Sequence, residues 1–240
     1  MSAYTKDTIF NGRIQIRQHA TGYRFSIDAV LLAHYARPAP LDKILDLGTG
    51  CGVIPLILSY RHPETSIIGI EIQQDLASIA MTNIKENSLE ERIRIFCMDM
   101  KEVSQQVTNG PVDLIVSNPP FRKTKSGRIN PDSERAIARH ELKATLADVM
   151  ETAGRMLRTM GRLVLIYPAE RLADILSLMR ASRIEPKILY PIYSGKETHA
   201  KLVIVEGAKG GRTHLKISPP VYIYKDRGVY SESMQKMFEP

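Results

Sequence analysis

The segment Val112-Asp113-Leu114-Ile115-Val116-Ser117-Asn118-Pro119-Pro120-Phe121 decides the fold. Its first half is a short Val, Ile and Leu run, the composition of a strand buried on both faces of a parallel sheet, and it breaks off at a polar residue followed by two prolines. Proline fixes its own φ, lacks an N–H to donate and restricts the residue before it. The strand is therefore expected to end at Asn118, with the Asn118 amide, the Pro119 carbonyl and the Phe121 ring on a stiff turn at its carboxyl end. In an open α/β sheet that edge is where ligands bind. Two oxygen acceptors beside an aromatic plate suit a planar amino group, accepting its two protons while the plate stacks on its ring. The same residues also fit a plain Asn-Pro turn with a core Phe, and the residues upstream separate the two readings.

Upstream, residues 43–117 alternate strand and helix in the manner of a parallel sheet. Lys43 to Leu47 reads as the first strand, Gly48-Thr49-Gly50-Cys51-Gly52 as a turn and Val53 to about Arg61 as a helix. Ser66 to Glu71 is the second strand. Leu76, Ile79, Ala80 and Ile84 make the apolar stripe of the next helix. Arg92 to Cys97 is the third strand, and the segment quoted above is the fourth.

Downstream, Thr145 to Met160 is expected as a helix stopped at Gly161, Leu163 to Tyr167 as a fifth strand and Glu170 to Arg180 as a further helix. Lys187 to Ile192 and Leu202 to Glu206 are joined by a connection too short for a parallel crossover, so they are expected to pair antiparallel. The expectation is a Rossmann-like α/β fold with a mostly parallel seven-stranded sheet and an antiparallel last strand. Ahead of it, Asn11-Gly12 between alternating runs signals a two-residue hairpin, and a helix follows from near Ser26 to before Pro38, with His34 a helix-surface or packing residue rather than a catalytic one. Residues 1–40 thus form a small extension on a domain spanning 41–240, whose basic tail has no legible shape.

Charge is unevenly distributed. Residues 41–121 carry 6 Lys/Arg against 11 Asp/Glu, whereas 1–40 carry +3, 122–143 carry +4 and 207–230 carry +4, within a total of +7. Basic segments around an acidic body point to a polyanionic partner, nucleic acid first. The 2 cysteines, Cys51 and Cys97, have no zinc-like or Cys-x-x-Cys spacing, so no metal is expected. No apolar run approaches the ~20 residues of a membrane span, and the polar start does not read as a signal peptide, so a soluble cytoplasmic protein is expected.

The glycine turn is Gly48-x-Gly50-x-Gly52, neither the dinucleotide fingerprint nor a phosphate loop. Three acids stand at three successive strand ends. Glu71 is placed to accept from two ribose hydroxyls, Asp99 from an adenine amino group, and Asp46 to meet a cofactor ammonium. Each could singly be a strand-end cap; the coincidence of three favours a site.

Asp46-Leu47-Gly48-Thr49-Gly50-Cys51-Gly52, Glu71, Asp99 and Asn118-Pro119-Pro120-Phe121, in this order, resemble the motifs of class I S-adenosylmethionine-dependent methyltransferases that act on planar amino groups. Phe25 to Ala33, Gly127 to Pro131, Ile137 to Glu141, Lys209 to Gly211 and Pro219-Pro220 resemble more narrowly the bacterial tRNA adenine-N6 methyltransferases that modify the adenosine 3′ of the valine tRNA anticodon. Phe121 stands where Tyr is common, which keeps the stacking face. The resemblance implies S-adenosylmethionine as cofactor, held by Asp46, Gly48, Gly50, Gly52, Glu71, Asp99, Met100 and Asn118. It implies Asn118, Pro119 and Phe121 as the catalytic constellation. Arg122, Lys123, Lys125 and Arg128 are expected on RNA phosphates, with the amino-terminal arginines and Lys209 to Arg212 extending that surface. His140 and Glu141 are either site residues or a helix-start pair.

Rival readings remain. A protein glutamine amide offers a similar NH₂, but its enzymes carry a larger amino-terminal domain than 40 residues allow. Guanine-N2 rRNA enzymes often have a duplicated sheet. An RNA-binding module retaining the fold without turnover is the non-enzymatic alternative.

Overall fold

A computed structural model describes residues 4–20, 25–119, 145–226 and 228–239. In chain order the first elements are β1 (Tyr4–Ile9), β2 (Ile14–His19), α1 (Ile27–Ala36), β3 (Lys43–Leu47), α2 (Val53–Arg61), β4 (Ser66–Glu71), α3 (Gln74–Glu86), β5 (Ile93–Cys97) and β6 (Val112–Ser117). Then come α4 (Leu146–Met156), β7 (Leu157–Pro168), α5 (Leu172–Ala181), β8 (Ile184–Tyr193), β9 (Ala200–Lys209), the short strands β10 (Lys216–Ile217), β11 (Val221–Tyr222), β12 (Tyr224–Asp226) and β13 (Val229–Tyr230), and α6 (Glu232–Lys236).

The main sheet runs β8-β9-β7-β6-β3-β4-β5, with β10 and β11 both added outside β8. Strands β3 to β7 pair parallel, and β9 is antiparallel to both β7 and β8. The expected Rossmann-like α/β sheet is therefore present, and its one reversed long strand sits inside the order rather than at a border. Alternate residues of the strands face opposite layers. Ile44, Ile67, Leu114, Val116, Val164 and Ile166 pack with α1, α2, α3 and the amino-terminal hairpin. Leu45, Leu47, Ile68, Ile70, Ile115, Leu163 and Leu165 pack with α4 and α5. Because both faces are covered, the strands read as nearly continuous apolar runs.

Two boundaries differ from the sequence expectation. The helix expected over 145–160 ends at Met156, and β7 begins at Leu157. Leu157 pairs with Val112 and Arg162 with Leu114, so the chain bulges between them, and Met160 carries φ 63 there. Gly161 thus belongs to a strand bulge, not a helix stop. The Asn11-Gly12 turn is a four-residue loop, since Ile9 pairs with Ile14. Phe10, Asn11 and Gly12 all have positive φ, at 54, 55 and 84, and Phe10 is drawn into the core at 1% exposure. Burying that ring outweighs the tighter turn.

The hairpin is fastened to α3 by side chains. Asn83 accepts from the Arg17 N–H at 2.8 Å and donates to the Arg17 carbonyl at 2.9 Å, while Asn87 accepts from the Gln15 N–H at 3.0 Å and donates to the Gln15 carbonyl at 2.8 Å. Four residues of helix rise about 6 Å, and two residues of strand advance about 6.6 Å, so amides spaced i, i+4 match alternate strand residues. His34 is half-buried, with Nδ1 3.3 Å from Arg61 Nη1, and burial, then Arg61 and Arg37, lower its pKa to about 4, consistent with a packing role. The tail, unreadable in sequence, folds back so that Met234 and Met237 are buried and the Met237 carbonyl accepts from Arg61 at 2.5 Å.

Candidate functional site

Parallel strands bring their carboxyl ends to one rim. Leu47 stands opposite Ser117 and Ile70, and the buried Ser117 hydroxyl donates to the Leu47 carbonyl at 2.7 Å. That bond fixes the end of β6 beside the turn that leaves β3. The turn is held in its bend by the Ile70 carbonyl, which accepts from both Gly48 and Thr49 N–H at 2.9 Å. Gly48, Gly50 and Gly52 have φ of 79, 57 and 82, a region that costs every L side chain and leaves the peptide groups uncovered. Gly69 brings β4 close beneath: a Cβ there would stand 2.7 Å from Ile95 Cδ1 and 2.9 Å from Thr49 Oγ1.

Two acids lie under this bend in different states of satisfaction. The buried Glu71 carboxylate accepts from the Gly50 N–H and from the Gln73 N–H, both at 2.9 Å. Asp46 is fully buried, and neither of its carboxylate oxygens has a hydrogen-bond partner among the described residues. Burial raises its pKa to about 7, the Thr49 hydroxyl nearby opposes this, and Glu71 adds to it. Thr49 Oγ1 has no partner among the described residues, so it approaches Asp46 without reaching hydrogen-bond geometry. A buried carboxylate with no donor is costly, and this one precedes the glycine turn. A cationic group entering there would remove the cost.

Asp99 lies beyond the end of β5 at the same rim. It caps a short 3-10 turn, Met100–Glu102, accepting from the Lys101 N–H at 2.9 Å, and its other oxygen lies 3.3 Å from Lys101 Nζ. That turn is held from the opposite layer. Thr152 of α4 donates to the Met100 carbonyl at 3.2 Å, and Arg155 donates to the Lys101 and Val103 carbonyls at 2.9 and 3.1 Å. Met100 is buried at 6% exposure.

Asn118 shares a pocket with Gly48, Thr49 and Cys51 of the bend and with Phe25 and Ala29 at the start of α1. Pro119 beside it is buried. The turn after β6 and the glycine bend therefore adjoin, with an opening between them. Phe121, Arg122, Lys123, Lys125 and Arg128, together with His140 and Glu141, lie outside the described residues. Lys209 to Arg212 lies at the other end of the sheet: β9 runs antiparallel, Lys209 pairs with Ile184 at the start of β8, and its Nζ donates to the Leu157 carbonyl at 2.7 Å. That segment is not on the rim of Asn118. Arg17 is likewise engaged, in an ion pair with Glu86. Burial pushes the Cys51 thiol up to about 11, which keeps it neutral.

Sequence reading assigned no role to Phe25 and Ala29 as pocket walls, to Thr152 and Arg155 behind Asp99, or to Asn83. The available signal was Asn83 itself, an amide set in the apolar stripe of α3.

Comparisons with known proteins bear on family and fold. Residues 27–180 match the family model described as the methyltransferase small domain. A tRNA1(Val) (adenine(37)-N6)-methyltransferase of Porphyromonas gingivalis is 33% identical, over 95% of this chain and 92% of its own length. One of a Flavobacteriaceae bacterium is 27% identical over 93% of each. Among solved structures, a predicted O-methyltransferase of Agrobacterium tumefaciens aligns with TM-score 0.71 at 20% identity, covering 88% of this chain and 94% of that one. The family model spans well over half of the sequence and the Porphyromonas gingivalis relative nearly all of it: this chain belongs to the methyltransferase small domain family, with relatives that are tRNA1(Val) (adenine(37)-N6)-methyltransferases.

Proposed function

We propose that the protein is an S-adenosylmethionine-dependent methyltransferase acting on the exocyclic N6 of an adenine in tRNA, at adenosine 37 of tRNA1(Val) as in its relatives. The observation that carries the reading is the common pocket of Asn118 and the glycine bend, close to an acid that has no partner among the described residues.

The residues present fit the cofactor. Asp46 is ready to stay charged once an ammonium neutralises it, the glycine bend presents three positions without side chains, and Glu71 and Asp99 stand at the next two strand ends for ribose hydroxyls and an adenine amino group. Met100, buried next to Asp99, would help hold that adenine. When bound, S-adenosylmethionine supplies an electrophilic methyl group on a sulfonium. The chain's part is positioning. An adenine amino nitrogen is a poor nucleophile because its lone pair is delocalised into the ring. Asn118 Oδ1 and the Pro119 carbonyl accept its two N–H bonds, favour a more tetrahedral nitrogen and aim the lone pair across the shared pocket. No ionised base is needed before transfer, because the amino nitrogen loses its proton to solvent after the methyl has left the sulfonium. Phe121 stacks on the withdrawn base, an interaction of about 1–3 kcal/mol for such contacts. The anticodon loop already displays unpaired bases, which keeps extrusion inexpensive.

Arg122, Lys123, Lys125 and Arg128 follow the target-base turn in sequence and are assigned to RNA phosphates, which set register without reading sequence. Residues 1–40 are assigned as an extension of the methyltransferase domain 41–240. Among the described residues no helix is long and apolar enough to cross a membrane, and no group of three or more His, Cys, Asp and Glu could hold a metal. The cytoplasm, where tRNA is modified, is the assigned location.

The test is incubation with radiolabelled S-adenosylmethionine and total tRNA from a strain lacking its own enzyme, followed by digestion to nucleosides. Label in N6-methyladenosine is expected. Label in N2-methylguanosine or only in protein would replace the reading with a rival, and no transfer despite cofactor binding would leave an RNA-binding module.

A further inference from the structure

Asn83 does more than fasten the hairpin. Its side chain is fully buried at 0% exposure. Besides its two bonds to Arg17, its amide nitrogen donates to the Cys51 carbonyl at 2.8 Å, and Cys51 belongs to the glycine bend and lines the pocket with Asn118. Both N–H donors of the amide are thereby used, one on the bend and one on β2. Asn87, one turn later, makes the same pair of bonds to β2, but its remaining donor goes to the Asn83 carbonyl within α3. The two residues form one ladder on the hairpin and differ in a single bond, the one to the bend.

The hairpin reaches the pocket by a second route. Gln18, 2% exposed, follows Arg17 directly, and its side-chain oxygen accepts from the Phe25 N–H at 3.0 Å. Phe25 also lines the pocket. One short strand is thus tied to two walls of the pocket, to Cys51 through Asn83 and to Phe25 through Gln18.

We propose that Asn83 is a positioning residue for the cofactor: it fixes the Cys51 carbonyl, and with it the course of the glycine bend, against the amino-terminal hairpin. Three successive positive-φ glycines at alternate positions leave that bend little intrinsic stiffness, so its shape depends on what holds its carbonyls and N–H groups. Glu71 holds the Gly50 N–H and Asn83 the Cys51 carbonyl. The inference rests on the cofactor assignment made above.

The experiment compares Asn83→Ala with Asn87→Ala in the full chain, measuring S-adenosylhomocysteine affinity by titration calorimetry, thermal unfolding, and kcat at saturating S-adenosylmethionine and tRNA. Both variants are expected to lower the melting temperature, because both open the ladder. Asn83→Ala is expected to weaken S-adenosylhomocysteine binding by roughly 10-fold or more while kcat stays within about threefold. Asn87→Ala is expected to leave affinity within about twofold. Should Asn83→Ala not fold, Asn83→Ser, which keeps a small polar group, is read by the same ratios. Unchanged affinity in the Asn83 variant, or equal weakening in both, overturns the proposal and leaves Asn83 a residue of the fold. So does failure of both Asn83 variants to fold while Asn87→Ala folds and binds. If the wild-type protein itself does not bind S-adenosylhomocysteine, the cofactor assignment fails and this proposal falls with it, an outcome distinct from loss of binding in the Asn83 variant alone.

Discussion

The two ends of the sheet treat acids in opposite ways. At the amino ends of the parallel strands Asp113, Asp42 and Glu206 are each met by an arginine. Asp113 accepts from the Lys43 N–H at 2.9 Å and pairs with Arg158. Asp42 and Glu206 lie 3.7 and 3.4 Å from Arg162, which also donates to the Ala36 and Arg37 carbonyls at 3.2 and 2.9 Å. At the carboxyl ends Asp46 has no partner among the described residues, and Glu71 is bonded to main-chain N–H groups alone. One end closes the fold on itself, and the other keeps acceptors in reserve for a molecule that arrives later.

Substitutions can break this contrast. The largest effect is expected for Asn118→Ala, which should lower kcat by about 10²–10³-fold or more, on the scale of losing a transition-state contact, while S-adenosylhomocysteine affinity stays within about threefold. Transfer assays and calorimetry on one preparation check it, and equal loss in both would make Asn118 a residue of the fold or of the cofactor site and not of the transfer step.

Asp46→Asn comes next, with opposite signs in two measurements. Cofactor affinity should fall roughly 10-fold or more as a charge-assisted contact is lost, whereas the cofactor-free protein should become more stable. The Asp46 carboxyl has a pKa of about 7 in the fold and about 4 in the unfolded chain. Its penalty on folding is therefore complete above pH 7 and disappears as the pH falls toward 4. The gain in melting temperature is expected to reach up to about 10 °C at pH 8 and to shrink through that same window. A variant less stable than wild type at pH 8 would show that Asp46 is satisfied within the protein.

At the opposite end, Asp113→Asn should behave in reverse. Burial alone would raise the Asp113 pKa, but Arg158 and the Lys43 N–H together hold it below the usual carboxylate value. The stability it contributes is present above the unfolded value near 4 and is lost as the pH falls through the lower native one. A drop of a few degrees in melting temperature at pH 7, on the order of 1 kcal/mol, with unaltered cofactor affinity, is the expected outcome. The smallest effect is expected for Thr152→Val. It frees the Met100 carbonyl behind Asp99 and should weaken cofactor binding by only about two- to threefold, one neutral hydrogen bond at a distance; no change would confine Thr152 to the packing of α4.

Much of this was legible because the chain announces it locally. Helix α2 and strand β4 begin and end where the glycine turn, His62 and the apolar run place them. Asp46, Glu71 and Asp99 reach one rim because parallel topology sends every strand end there. What could not be read was decided by distant partners. Residues 157–160 have helical composition but are drawn into β7 by pairing with Val112, and Phe10 widens its turn to reach Tyr60, with ring centroids 4.8 Å apart. Lys209 to Arg212 looked like part of a binding surface until the reversed direction of β9 carried it to the wrong end. Asn83 escaped notice because its bonds go to main-chain atoms 32 and 66 positions away.

The border strand β8 is met from outside by two scraps, Lys216–Ile217 and Val221–Tyr222, separated by Ser218, Pro219 and Pro220. Ser218 gives its N–H to Leu189 at 2.8 Å, and the two prolines have none to give. A strand from a neighbouring molecule that tried to extend the sheet there would find an interrupted row of donors and a chain that soon turns away. The Pro219-Pro220 pair thus guards the molecule against growing by edge-to-edge addition, a safeguard of use to a protein with Ile217 exposed at 69% on that flank.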